Sequence, residues 1–319
     1  MLHKIGIYCH RCVPPVSKQT METSPNPFAN IAAGEGRDQE LVQLANGGSR
    51  AALEELVERH QAWIYNLALR MVHRPEDAQD ATQEVLIKLL TRLSTFDGRS
   101  SLRTWLYRIA VNHLLNMKRS RAESREITFA QYGQTLDGMP DAELDLPDPQ
   151  AIPVDEQLII AEARIGCTSG MLLCLDRDQR LIFILGSIFG VSDVVGAELM
   201  ALSRDNFRQK LARARRDLQS FMQDKCGLVN TANPCRCAKK TRGFITAGHV
   251  DPKNLRFARE RVTHVRSVAP RVTAEITGLD AAYAEVYRDH PFQKSPDFVA
   301  AIRELMNQPD FRSTLNLDD

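Results

Sequence analysis

The chain has 319 residues, 43% of them hydrophobic and only 6% aromatic, with a net charge of +1. That length holds about two ordinary domains, and 41 basic against 40 acidic residues exclude a polycation, so any affinity for nucleic acid must come from local charge. No run of roughly 18 apolar residues marks a membrane span, and the apolar patch in MLHKIGIYCHRC is too short for a signal peptide; the expected location is the cytoplasm, where the seven cysteines would be reduced or metal-bound rather than disulfide-paired.

The helix formers Ala, Leu, Arg and Glu dominate, which predicts an all-α fold. Residues 1–35 are rich in Pro, Ser, Asn and Gly, show no period and read as a disordered tail; Met21, which opens METSPNPF, is a second candidate start. A helical unit is expected over 38–125. In it Leu53, Leu56, Val57, Ile64, Leu67, Ala68 and Met71 keep the spacing of a buried helical stripe. His73-Arg74-Pro75 breaks that stripe. Pro75 suits the first turn of a new helix, with Glu76 and Asp77 at its positive end, and this helix runs to about Leu93. After the loop 94–100 comes a basic helix, Ser101 to Arg121. An acidic flexible linker is expected over 126–155, because Asp137 to Glu156 holds seven acids, four prolines and no Lys or Arg. Helical periodicity returns over 156–225. Asp176 to Phe189 reads as a buried helix ended by Gly190, and Ser192 as the N-cap of Asp193 to Met200. The turn Ala201-Leu202-Ser203 then leads into a second basic helix, Ser203 to Phe221. Residues 226–319 form a Cys-containing C-terminal extension, with helices expected at Ala281–Tyr287 and Pro296–Met306.

Two helices joined by three or four residues are the sequence form of a helix-turn-helix. In the second basic helix Phe207, Leu211, Ala214, Leu218 and Phe221 form one apolar stripe. Arg204, Arg208, Lys210, Arg213, Arg215 and Arg216 are left for phosphates and base edges in a major groove. The first basic helix packs through Leu102, Trp105, Leu106, Ile109 and Leu114. Its Arg103, Arg108, Asn112, Asn116, Lys118, Arg119 and Arg121 remain outward; Asn reads base edges well, and the aromatic Phe96 precedes the helix.

The segments DAQDATQEVLIKLLTRL and FDGRSSLRTWLYRIAVNHLLNMK resemble region 2 of bacterial RNA polymerase sigma factors of the extracytoplasmic-function (ECF) group. LDRDQRLIFILGSIFGVSDVVGAELMALSRDNFRQKLARARRDL resembles their region 4. The resemblance spans Ser49 to Phe221 and implies a protein without catalysis of its own, which binds core RNA polymerase and starts transcription at promoter DNA. It assigns Asp80, Gln83 and Glu84 to polymerase binding, and these polar residues do share one helix face opposite Ala78, Ala81, Val85 and Leu89. It places Phe96, Gly98, Arg99, Ser100, Arg103 and Asn112 at the unpaired −10 strand. Arg204, Asn206, Arg208 and Lys210 lie at the duplex −35 element, with Phe207 packing, and the acidic linker threads the polymerase RNA channel. An anti-sigma factor is a candidate further partner. The turn VVGAELMALSRDNF departs from the family's usual Glu-Ile-Ala and Thr-Val wording while keeping the spacing.

Cys226, Cys235 and Cys237 form C-x8-C-x-C, and His249 follows. Four such ligands suit a tetrahedral zinc site, although no cofactor is required by the resemblance; the bland reading is reduced structural thiols. Cys167 and Cys174 read as core, and Cys9-x2-Cys12 as isolated thiols in the tail. Two competing functions remain on the sequence. One is a stand-alone helix-turn-helix regulator, against which the Asp80 face and the second basic helix weigh. The other is a thiol oxidoreductase using Cys235 and Cys237, for which no substrate pocket or phosphate loop is visible.

Overall fold

The computed structural model describes residues 31–119, 123–139, 154–256, 295–309 and 312. The tail up to residue 30, the acidic stretch 140–153 and the helix expected at Ala281–Tyr287 lie outside the described residues. Among the described residues the fold is all-α. The helices are α1 (Ile31–Asn46), α2 (Arg50–Val72), α3 (Pro75–Arg92), α4 (Leu102–Asn116), α5 (Phe129–Gly138), α6 (Val154–Leu172), α7 (Arg177–Phe183, continued by a π turn, Ile184–Ile188), α8 (Asp193–Leu199), α9 (Arg204–Lys225), α10 (Cys237–Thr246) and α11 (Phe298–Met306).

Capping chemistry sets most helix starts. The hydroxyls of Ser49, Ser101, Ser192 and Ser203 each accept a backbone N–H from the first turn of α2, α4, α8 and α9, and Asp176 does the same for α7. Pro75 opens α3 at the position where a missing N–H costs nothing. Helix α2 is the hub of the first unit and packs against α1, α3 and α4. Its Leu56, Val57, Leu67, Met71 and Val72 are fully buried, each such aliphatic contributing about 1.5–3 kcal/mol.

Three expectations are corrected. Helix α1 opens at Ile31, inside the stretch expected as a disordered tail. The first basic helix stops at Asn116, where Met117 turns extended, not at Arg121. The linker expected over 126–155 begins with α5, whose start is a capping box between Thr128 and Gln131. Phe129 and Tyr132 of α5 stack on Phe221 of α9, with ring centroids 5.3 and 5.9 Å away.

The two helical units pack on each other. Arg180 of α7 is buried and donates to the carbonyl oxygens of Met71 (2.7 Å), Leu172 (3.0 Å) and Leu175 (3.2 Å) and to Glu123 Oε1 (2.8 Å). Arg177 donates to Met117 O (2.8 Å) and Glu123 Oε2 (3.2 Å). Arg70 of α2 lies over the Phe189 ring at 5.6 Å, and Arg108 of α4 pairs with Glu198 of α8. The extension reaches both units. Helix α10 packs on α6, and α11 packs on α2, burying Phe298, Ile302 and Met306 and pairing Arg303 with Glu54 at 2.7 Å.

Candidate nucleic-acid interface

Helix α3 sorts its residues by face. Ala78, Ala81, Val85 and Leu89 are buried. Asp80 and Glu84 are exposed and Gln83 is half-buried, on the opposite side. Thr82 is buried but spends its hydroxyl on Ala78 O (2.6 Å), so the solvent face is left acidic.

The loop after α3 turns at Gly98, whose φ of +71° suits a residue without a side chain. Asp97 accepts from both the backbone N–H (3.1 Å) and Nε of Arg99, whose guanidinium is otherwise in solvent. These hydrogen bonds, the backbone one first, hold the Asp97 carboxyl below its ordinary range. Phe96 is half-buried and stacks on Trp105, with centroids 5.6 Å apart, so Trp105 is a half-buried partner rather than full core. Ser100 and Arg103 are half-buried at the start of α4, and burial lowers the Arg103 guanidinium from its usual value. Arg108, Asn112 and Asn116 follow at four-residue steps along one ridge of α4. Asn112 and Asn116 are exposed, and Arg108 is the residue that meets Glu198.

The second site is a helix-turn-helix. Helix α8, a turn with Ala201 at φ 51° and helix α9 lock together through Phe207, which is fully buried. The ring sits on Gly196 of α8; a Cβ there would lie 2.6 Å from Phe207 Cε2. With Phe207 inside, Arg204, Asn206, Arg208 and Arg213 are exposed and Lys210 half-buried. Arg204 and Arg208 both pair with Asp193 of α8, the former at 3.2 Å. Partial burial works to raise the Asp193 carboxyl, and the hydrogen bonds from Arg208 and Arg204 outweigh it, leaving it below its usual value. Lys210 approaches Asp178 at 3.5 Å. The acids Asp193 and Glu198, which hold three of the basic residues, were not singled out from the sequence; they carry no pattern until α8 and α9 are juxtaposed.

The four-ligand set of Cys226, Cys235, Cys237 and His249 does not assemble. Among the described residues no three His, Cys, Asp or Glu side chains stand at metal-binding geometry. His249 is exposed and turned edge-on to Phe244 at 6.1 Å. The cause is α10, which starts at Cys237 and carries the chain about 15 Å before His249 follows, at 1.5 Å per residue. Cys226, Cys235 and Cys237 line a small cavity, and the fourth cysteine on its wall is Cys167 of α6.

Residues 56–124 match the family model of sigma-70 region 2. The RNA polymerase sigma-H factor of Pseudomonas aeruginosa is 30% identical over 189 residues, which span 59% of this chain and 94% of that protein. The chain belongs to the RNA polymerase sigma factors, in the ECF group. The ECF sigma-E factor of Escherichia coli K12 is 29% identical over 189 residues, covering 58% of this chain and 94% of its own. A solved structure of CnrH in complex with the cytosolic domain of CnrY aligns with 97% of that chain and 58% of this one, at 22% identity and a TM-score of 0.39, too low for the arrangement of units to be compared. As a sigma factor, the chain acts in transcription initiation, and its relatives are regulators rather than enzymes. No described helix is long and apolar enough to cross a membrane.

Proposed function

We propose that this sigma factor binds core RNA polymerase through the acidic face of α3 and reads a promoter at two places. Asp80, Gln83 and Glu84 meet the enzyme. Phe96, the loop from Gly98 to Arg103 and Asn112 hold the unpaired −10 strand. Arg204, Asn206, Arg208, Lys210 and Arg213 enter the duplex at −35. The observation that carries this reading is the Phe207–Gly196 contact. It fixes α9 against α8 so that the apolar stripe is spent inside and the basic residues face out, the division of labour a groove-reading helix needs. The acidic linker would follow the RNA path of the polymerase. An anti-sigma domain is the expected further partner; CnrH is known in complex with the cytosolic domain of CnrY. The cytoplasm, where polymerase works, is the proposed location.

The reading requires the two units to part. Elements about 25 base pairs apart lie about 85 Å apart along a duplex, at 3.4 Å per step, whereas α4 and α8 touch through Arg108 and Glu198. Run-off transcription with core polymerase tests the proposal. Wild-type protein should give a promoter-specific start. Arg208→Ala should weaken promoter binding by about 10-fold, from loss of one base or phosphate contact worth about 1–3 kcal/mol, and Asn112→Ala should impair strand opening while leaving duplex binding intact. Absence of any promoter-specific start with wild-type protein overturns it.

A further inference from the structure

Helix α5 stands at the head of the acidic stretch in the sequence, yet its contacts place it in the second unit. Phe129 and Tyr132 stack on Phe221 of α9, and the Tyr132 hydroxyl donates to Cys167 O of α6 (2.9 Å). Two glycines let the helices close up. A Cβ on Gly170 would stand 2.8 Å from the Tyr132 hydroxyl oxygen, and one on Gly133 3.3 Å from Phe221 Cε2. Asp137 pairs with Lys225 of α9 at 2.6 Å. The extension holds the far end. Buried Lys240 of α10 donates to Met139 O (2.8 Å). The Met139 side chain lies on Gly243, where a Cβ would meet Met139 Cβ at 3.1 Å.

This docking sets the length of chain that joins the two units. With α5 in place, the 12 residues from Met117 to Thr128 connect α4 to the second unit. With α5 released, the 37 residues from Met117 to Pro153 connect α4 to α6. Pulled straight, the short tether spans at most about 43 Å and the long one about 130 Å. Asn112 in α4 and Arg208 in α9 lie further back along their helices, at about 1.5 Å per residue, and α5 stands one helix spacing from α9. With every part in line, the short tether brings those two residues at most about 80 Å apart. The promoter elements assigned to them lie about 85 Å apart along a duplex. The long tether covers that distance without being taut.

The seat of α5 is one that can let go. The helix has 10 residues, fewer than the roughly 12–15 an isolated helix needs in water, so it melts once undocked. Of its residues only Gly133 and Leu136 are buried. A cavity of about 20 Å³ is lined by Leu136, Met171 and Phe244 among others, and a void forfeits the dispersion contacts that close packing would give. We propose that α5 is a releasable latch, held between α9 and α10, that keeps the tether too short for the two units to span a promoter until it comes free. The proposal rests on the two-element reading of promoter DNA given above. It gives the extension a part in promoter access, because Lys240 and Gly243 of α10 set how firmly the latch is held.

Run-off transcription with core polymerase at limiting protein compares three full-length chains. They are wild type, the release variant Tyr132→Ala/Lys240→Ala, and a chain with about 12 Gly and Ser residues inserted between Glu126 and Ile127. Circular dichroism checks that each is folded. The release variant and the insertion should each raise promoter-specific product at least about 5-fold, the ratio for one lost hydrogen bond of ordinary strength. Combined, they should do no better than either alone, since a chain already free gains nothing from extra length. Amide exchange is the second readout. The α5 amides should be protected in free wild-type protein, lose that protection in its promoter complex, and keep it in the complex of the insertion variant. No gain from the insertion, gains that multiply, or α5 still protected in the active wild-type complex overturns the latch. If no chain starts at any promoter, the two-element reading falls and the latch is decided in free protein. There, in a Glu123→Ala background that cuts the network between the units, the release substitutions should lengthen the largest dimension seen by X-ray scattering; an unchanged dimension overturns the latch.

Discussion

Replacing Glu123 by Ala should destabilise this protein far more than any loss of a surface ion pair. Glu123 is 6% exposed and Arg180 only 4%; the carboxylate accepts from Arg180 at 2.8 Å and from Arg177 at 3.2 Å. Removing one partner of a buried pair leaves an uncompensated charge, at a cost of about 3–5 kcal/mol. Arg180 keeps its bonds to the Met71, Leu172 and Leu175 carbonyls, and Arg177 its bond to Met117 O, so the lower end, about 3 kcal/mol, applies. At about 2–4 °C per kcal/mol for a folded body of this size, the melting temperature should fall by about 6–12 °C. The comparison is Glu55→Ala, which removes the two-point pair with Arg37 (2.8 and 2.5 Å) on the surface and should leave the melting temperature unchanged. Thermal unfolding at neutral pH, followed by circular dichroism, reads both variants. If Glu123→Ala melts within about 2 °C of wild type, or no lower than Glu55→Ala, the buried network is not what joins the two units.

Gly196→Ala should displace Phe207 and tilt α9, costing about 1–3 kcal/mol from overpacking, against a helix-propensity gain of about 1 kcal/mol; urea unfolding together with a promoter-binding assay checks it, and unchanged binding refutes the socket. Ser203→Ala removes the acceptor for Asn206 N–H (3.2 Å) and should cost about 1 kcal/mol, seen as faster amide exchange confined to the first turn of α9. Burial first, then the positive charges of Arg256, His249 and Arg180, lower His73 from its ordinary 6.5 to about 4. Between those values the unfolded chain takes up a proton that the folded one refuses, so stability present above pH 6.5 is lost as the pH falls toward 4, by about 3 kcal/mol from this residue. His73→Asn keeps a residue suited to the left-handed C-cap at φ 65° and should flatten that acid slope in unfolding titrations; an identical slope sinks the assignment.

Much of the fold was legible because its signals are local. Ser192, Ser203, Asp176 and Pro75 mark helix starts in the sequence and occupy those positions in the structure, and the stripe Phe207-Leu211-Ala214-Leu218-Phe221 does face inward apart from half-buried Leu211. Helix α5 was missed because the proline-rich acids beside it dominated the composition, although Thr128 and Gln131 spelled a capping box at the right spacing. Cys167 does pack against the core, as its apolar helical face predicts, but what it meets there was not legible. An apolar helical face looks the same whether it meets leucines or a loop 60 residues away, and only the fold brings Cys226, Cys235 and Cys237 to it. The Glu123–Arg177–Arg180 network was invisible on the same ground, since a long-range ion pair leaves no periodic trace.

The acids of α8 bear on how the molecule changes state. Asp193 holds Arg204 and Arg208, and Glu198 holds Arg108, so in the packed form three basic residues of the two helices proposed to read DNA are paired with one short acidic helix. A phosphate backbone offers the same guanidinium groups a competing anion, and exposed ion pairs are worth little enough to exchange. The contact that resists separation is therefore the buried one at Glu123 and Arg180, not the visible ones at the surface. On the proposed reading, DNA alone would replace Asp193 and Glu198 as partners of these three arginines. It has no access to the buried network, so separating the units calls for binding energy from a larger surface, and the acidic face of α3 is where core polymerase would supply it.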